Sequence, residues 1–384
     1  MRILFSSLEA YGHTFPLVPL ALAAQGAGHT VHWAVGERLH PALAEQGFTP
    51  WAAGMSIRAA FERAVAEDAS VTSVEQVKAD TVAHRHVTRR AFTELIPRSF
   101  ETDLAPVIDR VAPDLIVAES AAIGAVTAAQ TAGIDVVTHG VGRGFAFDHD
   151  TPEVALLDIC PPSLQHPDVL ARRGRVPLRP IAFAADGPLP PIVLDGDDHR
   201  PLVYVTLGTE FGDARVLGEV ATGIASLGTR VLIALGPSVP VDALGPLPEG
   251  IAVEPWVPQA AVLHHASAIV HHGGSGTTLA ALAAGLPQLL LPQGADQFDN
   301  AAALADAGLA TQLIGERAHP ESVRAAVGAL LAPTVTAAQR RRAMVTEIES
   351  MPSPDTVVAD LRHLAEPVAD LSSALQQGLP TTSR

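Results

Sequence analysis

The chain of 384 residues has one cysteine, Cys160, which excludes an intramolecular disulfide and leaves no cluster of thiolates for a structural zinc. Lysine is almost missing too. Lys78 is the only one, a bias read as genomic base composition with no bearing on function. Basic residues are outnumbered, 25 against 41 acidic, and the formal charge of −16 repels phosphate backbones and anionic lipid headgroups. Neither a nucleic acid nor a membrane surface is expected as a partner. No apolar run reaches the ~18–20 residues of a membrane span: the stretch 117–129 is broken by Glu119, Ser120, Gly124 and Thr127. At the start, Ile3, Leu4 and Phe5 are too short a run for the hydrophobic region of an export signal, so a soluble, cytoplasmic protein is expected. No Gly-x-Gly-x-x-Gly follows the first predicted strand, and Gly140-Val141-Gly142-Arg143-Gly144 lacks the third glycine, which argues against a nicotinamide dehydrogenase.

What is present is a β/α alternation in a chain that is 48% hydrophobic, long enough for two domains. Residues 3–5 and 30–35 read as strands around a Gly12 loop and a helix, and 115–117, 122–131 and 136–138 repeat the strand–helix–strand pattern. Residues 59–109 read as helical. Between 181 and 201 the chain turns rich in Pro, Gly and Asp, which is linker chemistry. The alternation restarts with strands at 202–206, 230–235, 251–253, 268–270 and 288–291, interleaved with helices, and closes with three helices before a Gly-, Pro-, Ser- and Thr-bearing tail. The expected fold is α/β, with two Rossmann-like parallel sheets whose strand C-termini meet at a shared cleft. Residues 1–185 are expected to form the first Rossmann-like domain, 186–201 a linker and 202–350 the second, with 351–365 a closing helix returning to the first domain and 366–384 a flexible tail.

The densest local signal is His271-His272-Gly273-Gly274-Ser275-Gly276-Thr277-Thr278, which follows a predicted strand and opens a helix. Backbone N–H groups at Gly274–Thr277 would face outward at a helix N-terminus, where the helix dipole favours an anion such as a diphosphate. Alone, the run also reads as an ordinary turn capped by Ser and Thr. Around it stand Trp256-Val257-Pro258-Gln259, Gly285-Leu286-Pro287 and Pro292-Gln293-Gly294-Ala295-Asp296-Gln297.

These residues in this order resemble the donor-binding signature of family 1 nucleotide-sugar glycosyltransferases of the GT-B fold, and most of all the actinobacterial antibiotic enzymes of the calicheamicin and vancomycin pathways. The resemblance spans residues 1–365. It implies that Trp256 and Val257 belong to the donor site and that Trp256 stacks on the base. It also implies that His271 hydrogen-bonds the diphosphate with Gly274, Ser275, Gly276 and Thr277, that Thr209 adds a hydroxyl, and that Asp296 and Gln297 bind sugar hydroxyls. Eight residues past the implied phosphate histidine, UDP-sugar enzymes carry a glutamate that grips the ribose; here the residue is Leu279, which argues for a dTDP-linked donor. In the first domain His13, in Gly12-His13-Thr14-Phe15-Pro16, matches the catalytic base, and Glu119 matches the acid that orients it.

The implied reaction is inverting transfer of a deoxysugar from a dTDP-sugar to a hydroxyl of a hydrophobic natural-product aglycone, with no metal and no cofactor besides the donor substrate. Phe61, Phe92, Phe100, His139, Phe145 and Phe147 are candidates for the acceptor pocket, and each reads equally as core. A UDP-glucose-dependent enzyme acting on a macrolide or xenobiotic, a nucleotide-sugar epimerase and a catalytically silent binding protein stay as alternatives. Oligomeric state is not legible, with a homodimer left open.

Overall fold

The structure, a computed structural model, describes residues 1–68, 81–144, 154–183, 187–194, 198–210 and 212–364. The chain divides into two compact units. The first holds residues 1–159, 166–178 and Pro352 onward; the second holds 160–165 and 179–351. After the short segment 160–165, the main run of the second unit thus starts at Arg179, ahead of the expected linker, and the expected linker itself carries a helical turn, Pro191–Leu194. Side-chain hydrogen bonds account for the early start. The Arg179 guanidinium donates to the Met351 carbonyl at 3.1 Å and to that of Glu349, while Ser163 donates through N and Oγ to the Glu347 carboxylate at 2.8 and 2.7 Å. Both segments are thereby tied to the end of the Val335–Ser350 helix. Phe145, Phe147 and the tail from 365 lie outside the described residues.

The first unit is built on a seven-stranded parallel sheet of order β3-β2-β1-β4-β5-β6-β7. Its strands are β1 (Arg2–Ser6), β2 (Thr30–Val35), β3 (Thr49–Ala52), β4 (Leu115–Glu119), β5 (Val136–His139), β6 (Leu156–Asp158) and β7 (Arg175–Pro177). β4 is buried along its whole length, as a central parallel strand covered on both faces must be. The helices Ile96–Val111 and Ile123–Thr131 approach so closely that a Cβ at Gly124 would collide with the Pro97 carbonyl. Ahead of Pro97, which has no N–H to give, the chain widens into a π turn over Ala91–Leu95. The Pro354–Leu364 helix packs against Val18–Gly26.

The second unit carries a six-stranded parallel sheet of order β10-β9-β8-β11-β12-β13. Its strands are β8 (Leu202–Thr206), β9 (Arg230–Ala234), β10 (Ile251–Glu254), β11 (Ala268–His271), β12 (Gln288–Leu290) and β13 (Ala310–Gln312). Each sheet starts in the middle and winds outward on both sides, so each has a point where strand order reverses, where ligands of such sheets bind. Among the described residues no helix is long and apolar enough to cross a membrane.

Candidate active site

In the first unit, β1 runs into a single helical turn, Tyr11–Thr14, rather than the open loop the glycine suggested. Three buried hydrogen bonds pin this turn. Trp33 Nε1–H donates to Ser7 Oγ at 3.0 Å, and Thr14 Oγ1 donates to the Leu8 carbonyl at 3.0 Å. The Ser7 hydroxyl proton is thus left for Thr14 Oγ1, 2.9 Å away. His13 rides on the turn with its side chain 26% exposed.

Glu119 is the last residue of β4, the strand paired directly with β1 in register Ser6↔Ala118. Neighbouring parallel strands end at the same edge of a sheet, which brings two residues far apart in sequence together. Glu119 Oε2 lies 3.1 Å from His13 Nδ1, and the carboxylate is fully buried. Its other oxygen, Oε1, accepts the Ala121 N–H at 2.7 Å and the Ser120 hydroxyl at 3.3 Å. The two atoms make an ion-pair contact outside hydrogen-bond alignment, and a carboxylate this close favours a proton on Nδ1 over one on Nε2.

In the second unit, the chemistry-bearing residues stand past the C-terminal ends of the strands. Trp256 follows β10 and is 43% exposed. Thr209 follows β8 and is partly buried. After β11, Gly274 begins the Ser275–Ala283 helix with no side chain capping it, so the first N–H groups remain open to an anion. After β12 come Asp296 and Gln297.

The two adjacent histidines differ in what they have left to offer. His271 is fully buried; its Nε2 donates to Gln288 Oε1 at 2.8 Å and its Nδ1 accepts the Gly273 N–H at 3.1 Å. Burial pushes its pKa down to about 4, so the ring is neutral with both nitrogens committed to the protein. His272 is partly buried, and its Nδ1 has no hydrogen-bond partner among the described residues. Its ring fills the space over Gly208 and Gly274, either of which would clash with it if given a side chain. Burial, together with the neighbouring His271, pushes its pKa down to about 3.

Residues 218–364 match the family of erythromycin biosynthesis protein CIII-like C-terminal domains. The chain is 32% identical over 342 residues to L-demethylnoviosyl transferase of Streptomyces niveus, covering 82% of this chain and 85% of that one. It is 33% identical over 431 aligned residues to elloramycin glycosyltransferase ElmGT of Streptomyces olivaceus, covering 100% and 99%. The chain belongs to the family 1 glycosyltransferases of antibiotic biosynthesis. Among solved structures it superposes on spinosyn rhamnosyltransferase SpnG complexed with thymidine diphosphate with a TM-score of 0.74, at 25% identity and covering 94% of this chain and all of that one. The two parallel-sheet units are those of the GT-B fold.

Several residues of this glycosyltransferase stand differently from the expectation. Both ring nitrogens of buried His271 are bonded inside the protein, whereas His272 Nδ1 has no partner among the described residues; a doublet of identical residues gave no means to choose between them. Val257 is 4% exposed and packs in the core with Val262 and Ile269, leaving only its backbone for a ligand. Leu279 is 6% exposed; a side chain lining an open ribose site would keep more surface, so the donor-base argument does not stand on it. Gln297 is 2% exposed, and its Oε1 accepts the backbone N–H groups of Gln293 and Gly294 at 2.8 and 3.1 Å. It shapes the loop before Asp296. The Ser275 hydroxyl donates to Asp296 Oδ2 at 2.7 Å, so only its backbone faces the anion position. Thr277 Oγ1 lies 3.5 Å from Gln259 Oε1, which also accepts from the Tyr204 hydroxyl at 3.4 Å.

Of the acceptor candidates, His139 is fully buried at the end of β5, in register with Glu119. Its Nδ1 donates to the Gly140 carbonyl at 2.6 Å, and burial pushes its pKa down to about 4, so it lines no open pocket. Phe100 is core, lying under Gly54. Phe61 and Phe92 meet edge to face at 6.3 Å and are partly buried against the same core. Phe145 is outside the described residues. Among the described residues no group of three or more His, Cys, Asp and Glu side chains is placed to hold a metal ion. Asp-x-Asp spacings at 148–150 and 195–197 lie outside them.

Proposed function

We propose that this glycosyltransferase moves a deoxysugar from a dTDP-sugar to a hydroxyl of a hydrophobic natural-product aglycone with inversion at the anomeric carbon. The pairing of a partly exposed His13 with a buried Glu119 at 3.1 Å carries the reading. His13 Nε2 takes the proton of the acceptor hydroxyl, whose oxygen forms the bond to the anomeric carbon as the bond to the diphosphate oxygen breaks. Negative charge on the departing diphosphate is met by the open N–H groups of the Ser275–Ala283 helix, by His272 and by Thr209. Trp256 stacks on the base, and Asp296 accepts from sugar hydroxyls. The thymidine diphosphate in the SpnG structure supports the choice of nucleotide, and relatives named for elloramycin and demethylnoviose support a natural-product acceptor and an unusual sugar.

Calorimetric titration of the purified protein with TDP and with UDP tests the donor half. Tighter binding of TDP by tenfold or more is expected. Tighter binding of UDP would overturn the donor assignment, and binding of neither would overturn the donor site itself.

A further inference from the structure

One side chain that the sequence motifs did not single out joins the diphosphate loop to the sugar carboxylate. Asn300 lies in the Gln297–Asp306 helix and is 3% exposed. Its Nδ2 donates to the Gly273 carbonyl at 2.9 Å and to Asp296 Oδ2 at 2.8 Å, and stands 3.2 Å from Ser275 Oγ. The Ser275 hydroxyl delivers its own proton to the same Asp296 oxygen at 2.7 Å. Oδ2 is therefore held by two donors. Oδ1 receives none among the described residues and belongs to a partly exposed side chain.

We propose that Asn300 is a positioning residue: it fixes the rotation of the Asp296 carboxylate so that Oδ1 is presented to a hydroxyl of the donor sugar, and it ties that carboxylate to Gly273 in the diphosphate loop. The inference rests on the reading of Asp296 as a sugar ligand. A carboxylate has no preferred rotation of its own beyond a broad two-fold torsion, so one anchored oxygen decides where the other points. Gly273, at φ +90°, has a conformation suited to glycine, and its carbonyl is the atom Asn300 grips. Sugar and diphosphate are thus read by one connected frame.

The test compares TDP with TDP-glucose by calorimetry on the full chain, because the difference between the two isolates the sugar. Asn300→Asp keeps the shape and replaces the donor with an acid beside Asp296. At pH 8 two carboxylates repel and Asp296 turns away; near pH 5 a shared proton restores an O–H···O contact. The expected result for Asn300→Asp is TDP affinity within threefold of wild type, TDP-glucose affinity reduced tenfold or more at pH 8, and recovery of most of that loss near pH 5. Asn300→Ala should show the sugar-specific loss with no recovery at low pH. A pH profile of Asn300→Asp parallel to wild type, or equal weakening of TDP and TDP-glucose, would overturn the proposal and leave Asn300 as a support of the loop alone. Asp296→Ala separates the two levels. If it leaves the difference between TDP-glucose and TDP unchanged, the sugar-ligand reading falls and the inference with it. If it removes the difference while both Asn300 variants keep it, only the inference falls.

Discussion

Replacing Glu119 by glutamine changes one atom and should disable the base. Glu119 Oε1 accepts the Ala121 N–H at 2.7 Å, so the amide oxygen of Glu119→Gln must occupy that position to avoid setting two donors against each other. The new NH2 then faces His13 Nδ1, where the wild-type carboxylate oxygen stands at 3.1 Å. An N–H pointed at Nδ1 forces that nitrogen to be an acceptor, which moves the ring proton to Nε2 and leaves no basic nitrogen toward an acceptor hydroxyl. Charge loss adds to the tautomer effect. Opposite unit charges 3.1 Å apart attract by about 5 kcal/mol at an effective dielectric near 20. With His13 partly exposed, roughly half of that survives screening, which is about a hundredfold in rate. Together the expected loss in kcat/KM is about 10²–10⁴, comparable to removing the base in His13→Ala. The assay is release of TDP from TDP-glucose with a phenolic probe acceptor, with Tm and TDP affinity measured alongside. Turnover within threefold of wild type in a folded variant that binds TDP normally would refute the orienting role of Glu119.

The histidine doublet gives a paired prediction. His272→Ala should weaken TDP binding about tenfold or more with little change in Tm, whereas His271→Ala, which orphans Gln288 Oε1 and the Gly273 N–H, should cost about 2–5 kcal/mol of stability; the reverse pattern would return the diphosphate role to His271. His139 should contribute acid sensitivity. Its folded pKa near 4 lies below the ordinary 6.5, so the unfolded chain binds more protons and stability falls as pH drops through 6.5 toward 4. Between pH 7 and pH 5 the loss is about 2 kcal/mol from this ring. His139→Gln should flatten the fall in Tm over that range, and a slope equal to wild type would count against a neutral buried imidazole.

Much of the architecture was legible because it rests on local periodicity. The short strands β3, β6, β7 and β13 were not, since three or four residues carry too little pattern and are held by their neighbours. The loop proposed for the diphosphate was legible as a strand-to-helix turn of small residues, and its ligand was implied by the family resemblance. Which of its side chains is free was not. Ser275, Gln297 and His271 have the right chemistry for a ligand, and each is committed to a partner inside the protein.

Pattern by itself pointed to two parallel β/α units, one cysteine ruled out an intramolecular disulfide, and the family resemblance supplied the set of residues from which a sugar-nucleotide site could be drawn. Tertiary structure alone decided the roles within that set. Adjacent parallel strands end at one edge, so β1 and β4 bring His13 to Glu119. The hydrogen-bond partners supplied by Gln288, Asn300 and the Gln293–Gly294 backbone then consume some polar atoms and leave others open. Residue type fixes what a side chain can donate or accept; strand register and packing settle whether that capacity is already spent.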